Sequence, residues 1–134
     1  MQNFINPKST KLRCALESQE GKLLKSWADY HPICKNHLIH IANESKTSWQ
    51  NGKSMKAQGK KKGVSDYFLA YPRGGKSGLW IELKRSNKSL SKLSVEQAEW
   101  LSTCERVGYS TCVAYGAEEA IKKINEYLSV KCCK

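Results

Sequence analysis

The chain has 134 residues and is 40% hydrophobic, which suffices for one domain with its own core. It has no run of about 18 apolar residues and no apolar signal segment at its start. The sequence therefore excludes a transmembrane helix and predicts a cytoplasmic protein whose six cysteines are free thiols. With 23 Lys and Arg against 12 Asp and Glu, the net charge of +11 predicts a polyanionic partner, nucleic acid before membrane. A solvated basic surface is the alternative reading of this charge.

The N-terminal half predicts one long helix and one short strand. Apolar residues at helical spacing predict a helix over 14–30, and Pro32 prevents its continuation. A short apolar run predicts a strand at 38–42. The polar residues 43–65 are predicted to form a long loop with one helical turn around 54–58. A loop of that length in a small domain is usually functional or mobile.

The C-terminal half predicts a hairpin followed by two helices and a strand. The runs at 66–71 and 78–84 flank a Pro-Arg-Gly-Gly turn and predict two antiparallel strands. Ser94 and Gln97 have the spacing of a capping box at the start of the next helix, which Gly108 ends. This helix is predicted at 95–107. A strand at 109–115 and a final helix at 117–128 follow it.

The predicted order of elements is α-β-β-β-α-β-α, which is that of an α/β protein. We predict a single domain over residues 14–129, preceded by a flexible basic tail at 1–13. Nothing in the sequence indicates an organic cofactor or a membrane partner.

Two acidic residues and a lysine fall on the predicted hairpin. Because side chains alternate along a strand, Glu82 and Lys84 share one face, about 7 Å apart. If Asp66 lies on the neighbouring strand, its carboxylate meets Glu82 across the hairpin, and the two would repel without a cation between them. Mg²⁺ suits oxygen ligands, Mn²⁺ can substitute, and the carbonyl of Leu83 with waters would complete an octahedron. Such a site would attack a phosphodiester, with Lys84 orienting the water or neutralising charge. The alternative is a surface salt bridge between Glu82 and Lys84.

Four stretches of the chain resemble, in order, the virus-type replication-repair nuclease (VRR-NUC) family of the PD-(D/E)xK nuclease superfamily. They cover most of residues 16–128 and read LESQEGKLLKSWA, HIANE, GKKKGVSDYFLAYPRGGKSGLWIELKR and LSVEQAEWLSTCERVGYSTCVAYGAEEAIKKINEYL. The resemblance implies a restriction-endonuclease-like core, in which helices flank a central mixed β-sheet. It also implies a nuclease, as a stand-alone phage or prophage member of the family.

The resemblance assigns roles to residues on the hairpin and the first helix. Carried over by motif, Asp66 and Glu82 are implied metal ligands, and Lys84 is the implied catalytic lysine. The family also uses a Glu on its first helix near the metal. Glu17 matches that position, and Glu20, one helical turn away, is the alternative.

Two further residues match family positions. Gln97 falls where the family has a Gln in an S-x-x-Q motif, and it either touches the site or a nearby phosphate or only completes the capping box. Asn43 resembles a family Asn just past the first strand and is expected to fix a loop or to face the substrate. The superfamily has Pro before its first acid, whereas Ser65 precedes Asp66 here, which affects the entry to the strand and not the ligands.

Basic residues around the hairpin are predicted to flank the site and to contact phosphates without reading base sequence. They are Lys53, Lys56, Lys60, Lys61, Lys62, Arg73, Lys76 and Arg85. For any single one of them the alternative is a solvated side chain on a loop.

Taken together, these features predict a Mg²⁺- or Mn²⁺-dependent, structure-selective DNA endonuclease. The resemblance extends to Holliday-junction resolvases, so branched DNA such as a four-way junction is a candidate substrate. Because a junction has two-fold symmetry, we predict a homodimer with two sites. A phage-encoded enzyme would act in the cytoplasm of the bacterial host. The alternative is a non-catalytic nucleic-acid-binding module that uses the same basic surface, and the complete set of two acids and a lysine argues against it.

Overall fold

The computed structural model describes residues 15–42 and 56–131. In chain order its elements are α1 (Glu17–Ala28), α2 (Cys34–His37), β1 (Leu38–His40), β2 (Tyr67–Leu69), β3 (Leu79–Lys84), a 3₁₀ turn (Lys88–Leu90), α3 (Val95–Arg106), β4 (Ser110–Tyr115) and α4 (Ala117–Ser129). The predicted tail at 1–13 and residues 43–55 of the predicted loop lie outside the described residues. In the described part, no helix has the length and apolar character needed to cross a membrane.

The four strands form one mixed sheet in the order β1-β2-β3-β4. β2 pairs antiparallel with both β1 and β3, whereas β3 and β4 are parallel and are connected through α3. The predicted hairpin is therefore present as β2 and β3. The predicted α/β fold, with helices flanking a mixed sheet, is confirmed.

Local hydrogen bonds explain where the first two helices begin. The backbone N–H of Leu16 donates to Oε1 of Gln19 at 2.8 Å, so α1 starts three residues later than predicted. The sequence did not predict α2. Nδ1 of His31 accepts from the N–H groups of Ile33 and Cys34, both at 3.1 Å, and so caps a helix too short to show a periodic pattern.

The core lies on both faces of the sheet. On one face, Leu24 of α1 and Ile124 of α4 are fully buried against Leu69 and Ile81. Burial of each such side chain contributes about 1.5–3 kcal/mol. On the other face, under α3, aromatic ring contacts connect Phe68, Trp80, Trp100 and Tyr109.

Three of the cysteines lie in the described part of the chain. Cys34, Cys104 and Cys112 are free thiols there, as predicted. Burial raises the pKa of Cys34 to about 11 and that of Cys112 to about 12. These thiols therefore stay protonated and unreactive near neutral pH.

The strand register fixes where the hairpin carries its polar residues. Tyr67 pairs with Ile81, so Asp66, one residue earlier, lies across from Glu82. The backbone carbonyl of Asp66 accepts the N–H of Ile41 at 2.7 Å, which holds this end of β2 against β1. The carboxyl groups thus lie at one end of the sheet, beside the N-terminus of α1.

Candidate active site

Asp66 and Glu82 are the two carboxyl groups that the strand pattern predicts to converge, and the structure brings them together. Oδ2 of Asp66 accepts the backbone N–H of Leu83 at 2.9 Å, which turns this carboxyl toward β3. Glu82 is only 1% exposed. The side chains of Asp66 and Glu82 lie within hydrogen-bonding reach of each other.

Burial raises the pKa of both carboxyl groups, and the charge of Asp66 raises the pKa of Glu82 further. Desolvation is the largest cause for Glu82, the charge of Asp66 adds to it, and its pKa rises to about 8. Burial also raises the pKa of Asp66, although the N–H of Leu83 partly opposes this. The charge of Glu17 acts in the same direction on both groups. Near neutral pH the pair therefore holds a proton unless a cation replaces it.

One oxygen of this pair has no partner. Oε2 of Glu82 is buried and receives no hydrogen bond in the described part of the chain, whereas Oε1 accepts from Nε2 of Gln97 at 2.7 Å. When both carboxyl groups are ionised, this buried acceptor has no donor, which costs about 1–3 kcal/mol. A hard divalent cation would satisfy it, so the donor set fits an oxygen-ligated metal. Residues 15–42 and 56–131 hold no group of three His, Cys, Asp or Glu side chains arranged to bind a metal, so backbone and water oxygens would have to contribute.

Gln97 connects the lysine to the carboxyl pair. Its Oε1 accepts from Nζ of Lys84 at 3.0 Å and from the N–H of Ser94 at 2.9 Å, while its Nε2 donates to Glu82. The hydroxyl of Ser94 accepts the N–H of Gln97 at 3.1 Å, which completes the capping box of α3. The contact with the site and the capping role, predicted as alternatives, occur together.

Glu17 and Glu20 lie on the same helix but make different contacts. Oε1 of Glu17 accepts from the hydroxyl of Ser91 at 3.2 Å, and its charge acts on the carboxyl pair. Glu20 is 7% exposed, and its Oε2 accepts the N–H of Ala117 at 2.6 Å. Because Gly116 offers no side-chain cap to α4, Glu20 takes that function. Of the two, Glu17 is the carboxylate next to the pair, and its role as a ligand stays a prediction.

Arg73 and Lys76 do not flank the carboxyl pair, contrary to the sequence prediction. They lie in the turn that connects β2 to β3, paired with each other through their backbones. Because Asp66 precedes β2 and Glu82 lies near the end of β3, this turn is at the opposite end of the hairpin. The guanidinium of Arg73 lies over the ring of Tyr71, 5.3 Å from its centroid, which is a packing contact.

Of the other predicted phosphate contacts, Lys62 and Arg85 make contacts with elements that carry the site. Lys60, Lys61 and Lys62 directly precede the segment that enters β2, and Nζ of Lys62 lies 3.4 Å from a carboxylate oxygen of Glu96 in the first turn of α3. Nε of Arg85 donates to the carbonyl of Ala15 at 3.3 Å, which fixes the chain before α1. Lys56 is exposed. Asn43 and Lys53 lie outside the described residues.

A cleft of about 900 Å³ opens between α1 and the β1–β2 side of the sheet. The carboxyl pair, Glu17 and Gln97 line it, together with three lysines for which no sequence motif predicted a role, Lys22, Lys25 and Lys35. Helical spacing from Glu17 would have placed Lys25 on the same side of α1, two turns away. The position of Lys35 depends on α2, which the sequence did not predict.

Comparison with known proteins gives one family and one fold. The family model described as VRR-NUC domain matches residues 10–118. A solved structure described as a VRR_NUC domain protein is similar to this chain with a TM-score of 0.78 and 22% sequence identity, covering 90% of this chain and 94% of the other. No curated protein matches the chain.

Proposed function

The chain belongs to the VRR-NUC family of nuclease domains, and from this membership we propose that it is a Mg²⁺-dependent endonuclease that hydrolyses the phosphodiester bonds of DNA. One observation carries the metal-dependent part of the proposal. Glu82 is buried with an unpartnered oxygen, against Asp66 on one side and Lys84 on the other. Two carboxyl groups with raised pKa values beside an ammonium group are suited to bind a cation and a phosphate together.

Asp66, Glu82 and the carbonyl of Leu83 are the oxygens that would hold Mg²⁺, with Glu17 beside them. Bound Mg²⁺ would supply positive charge for the phosphate oxygens and a more acidic water. The protein would supply the placement of these ligands, because the N–H of Leu83 orients Asp66 and the amide of Gln97 orients Glu82.

Lys84 would act on the attacking water or on the charge that develops at phosphorus. Its ammonium lies 3.0 Å from Oε1 of Gln97 and 3.6 Å from Oε1 of Glu82, so two fixed oxygens orient it. An ammonium group has three N–H donors, of which one donates to Gln97, so donors are left for a water or a phosphate oxygen. Since Lys84 is only 6% exposed, its charge is little screened and would stabilise a developing negative charge strongly.

The finer features of the substrate are part of the same proposal. We propose that the enzyme selects branched DNA, with the four-way junction as a candidate, and acts as a homodimer whose two sites match the two-fold symmetry of that substrate. Mn²⁺ is expected to substitute for Mg²⁺ because both accept oxygen ligands. If the protein is phage-encoded, it would act in the host cytoplasm.

A cleavage assay tests this proposal. Labelled four-way junction and linear duplex are incubated with the protein in Mg²⁺, in Mn²⁺ and in EDTA. We expect cleavage in either metal but none in EDTA, and a loss of at least about 100-fold in Asp66→Asn and Lys84→Met. Lys122→Met, which removes the same charge from the exposed side of α4, is the matched control and should cleave like the wild type.

Folding of each variant is checked by circular dichroism, since Lys84 is buried. Wild-type binding of the junction without cleavage in any metal would overturn the enzyme and favour the binding module. Equal cleavage of junction and duplex would overturn the selectivity for branched DNA. Sedimentation of the protein alone and with the junction tests the dimer, and a monomer in both would overturn it.

A further inference from the structure

One face of α1 forms a wall of the cleft that holds the carboxyl pair. Ser18, Gly21, Lys22 and Lys25, at helical spacing, line the cleft on this side. Gly21 lets α1 lie close to the sheet, because a Cβ at this position would be 2.6 Å from Oη of Tyr67. At this point α1 therefore packs closely against Tyr67 of β2.

Charge along this wall runs from acidic to basic. Glu17 lies at the N-terminus of α1, beside the carboxyl pair. With a rise of about 1.5 Å per residue, Lys22 lies about 7 Å and Lys25 about 12 Å farther along the helix axis. Lys35 lies on α2, beyond the C-terminal end of α1, and also lines the cleft. The three lysines therefore extend the cleft away from the acids, and we call them the lysine row.

The lysine row is available to an anion. Lys22 and Lys35 are exposed, and neither forms an ion pair within residues 15–42 and 56–131. Lys25 pairs with Asp29 at 2.8 Å, but both side chains are more than half exposed, at 72% and 51%. Exposed pairs of this kind contribute only about 0–1 kcal/mol, so a phosphate could displace Asp29.

The position of the cleft favours a single extended strand as its occupant. Its volume of about 900 Å³ lies near the top of the range of about 300–1,000 Å³ that is typical of small-molecule sites. The cleft lies between α1 and the sheet and ends at Glu82, which is only 1% exposed, so it offers one extended strand a path to the recessed carboxyl pair.

We propose that the lysine row binds the phosphates of one unpaired DNA strand that runs along α1 to the carboxyl pair. The inference rests on the proposed function and narrows its substrate to branched DNA that offers a single strand. The row would hold the backbone on one side of the cleaved bond and read no base sequence. Arg73 and Lys76, at the opposite end of the hairpin, would have no part in it.

Salt-dependent binding tests the inference without requiring cleavage. Fluorescence anisotropy of a labelled single-stranded oligonucleotide is measured in EDTA over a series of salt concentrations. Each lost phosphate contact should reduce the slope of log K against log salt by about 0.7. We therefore expect a reduction of about 0.7 in Lys22→Ala and in Lys35→Ala, and about 1.4 in the double variant.

The controls separate the row from total charge. Lys22→Arg keeps the cation and should keep the slope, and Lys122→Ala and Lys76→Ala remove a cation elsewhere and should bind like the wild type. If the variants of Lys22 and Lys35 show the same slope of log K against log salt as the wild type, the inference is overturned, even if the wild type cleaves DNA. A blunt duplex whose slope falls equally in these variants would overturn the single-strand assignment. Altered slopes in a protein that never cleaves DNA would overturn the proposed enzyme and leave the row as a binding surface.

Discussion

Replacing Glu82 by Gln should stabilise the metal-free protein near neutral pH and remove much of the pH dependence of its stability. The folded state raises the pKa of Glu82 from an ordinary 4.5 to about 8, mainly by burial and by the charge of Asp66. The folded protein therefore holds a proton that the unfolded chain releases above its ordinary pKa. This contribution to stability is fully present below that pKa and is lost as the pH rises through about 8.

The size of the effect follows from the two pKa values. Between about pH 5.5 and about pH 7.5, the folded state keeps a proton that the unfolded chain has released, so the free energy of unfolding should fall by about 2–3 kcal/mol. Gln resembles the protonated carboxyl group, because its oxygen can accept from Nε2 of Gln97 and its amide can donate to Asp66. Glu82→Gln should therefore exceed the wild type by about that amount at the higher pH.

Urea unfolding in EDTA, followed by tryptophan fluorescence at both pH values, measures this difference. Glu99→Gln, an exposed change of the same charge on α3, is the matched control and should follow the wild type. Other titrating groups are the same in both proteins, so their contributions cancel when the free energies of unfolding of wild type and variant are subtracted. If the two unfolding curves shift in parallel with pH, Glu82 does not retain its proton and the reasoning is wrong.

Three other substitutions test separate contacts. Gln97→Ala should lower the single-turnover cleavage rate about 10- to 100-fold, because Lys84 loses an orienting oxygen, and equal rates would contradict this role. Glu20→Ala should lower the free energy of unfolding in urea by about 1–2 kcal/mol, and Glu20→Gln, which keeps an acceptor, by less. Gly21→Ala should cost about 1–3 kcal/mol because its Cβ would meet the hydroxyl of Tyr67, and adding Tyr67→Phe should restore part of the loss. A Gly21→Ala protein as stable as the wild type in thermal unfolding would show that α1 can move away.

Local patterns predicted much of the fold. The hairpin could be predicted because side-chain alternation and the turn at 72–75 are contained in neighbouring residues. The boundaries were less accurate, since the first strand was predicted at 38–42 but ends at His40. The helix α2 could not be predicted, because it has four residues and depends on the ring of His31 as its cap.

The sequence predicted how the site residues on the hairpin are arranged, but not how residues on other elements are arranged around them. Asp66 and Glu82 could be paired because the strand register follows from the turn. The choice between Glu17 and Glu20 depends on where α4 begins in space, which no local pattern shows. Arg73 is close in sequence to both acids, and this closeness predicts that it lies near them. In the hairpin, however, the turn that contains Arg73 lies at the end opposite to Asp66 and Glu82. The lysine row needs the packing of α1 over the sheet, so only the tertiary structure reveals it.

The hydrogen bond from Ala117 to Glu20 joins positions 97 residues apart. The helix that carries Glu17 is therefore held in place by a segment that is synthesised after all the residues of the carboxyl pair. A nascent or proteolysed chain without α4 would leave a buried carboxylate unsatisfied and the acidic end of α1 loosely held.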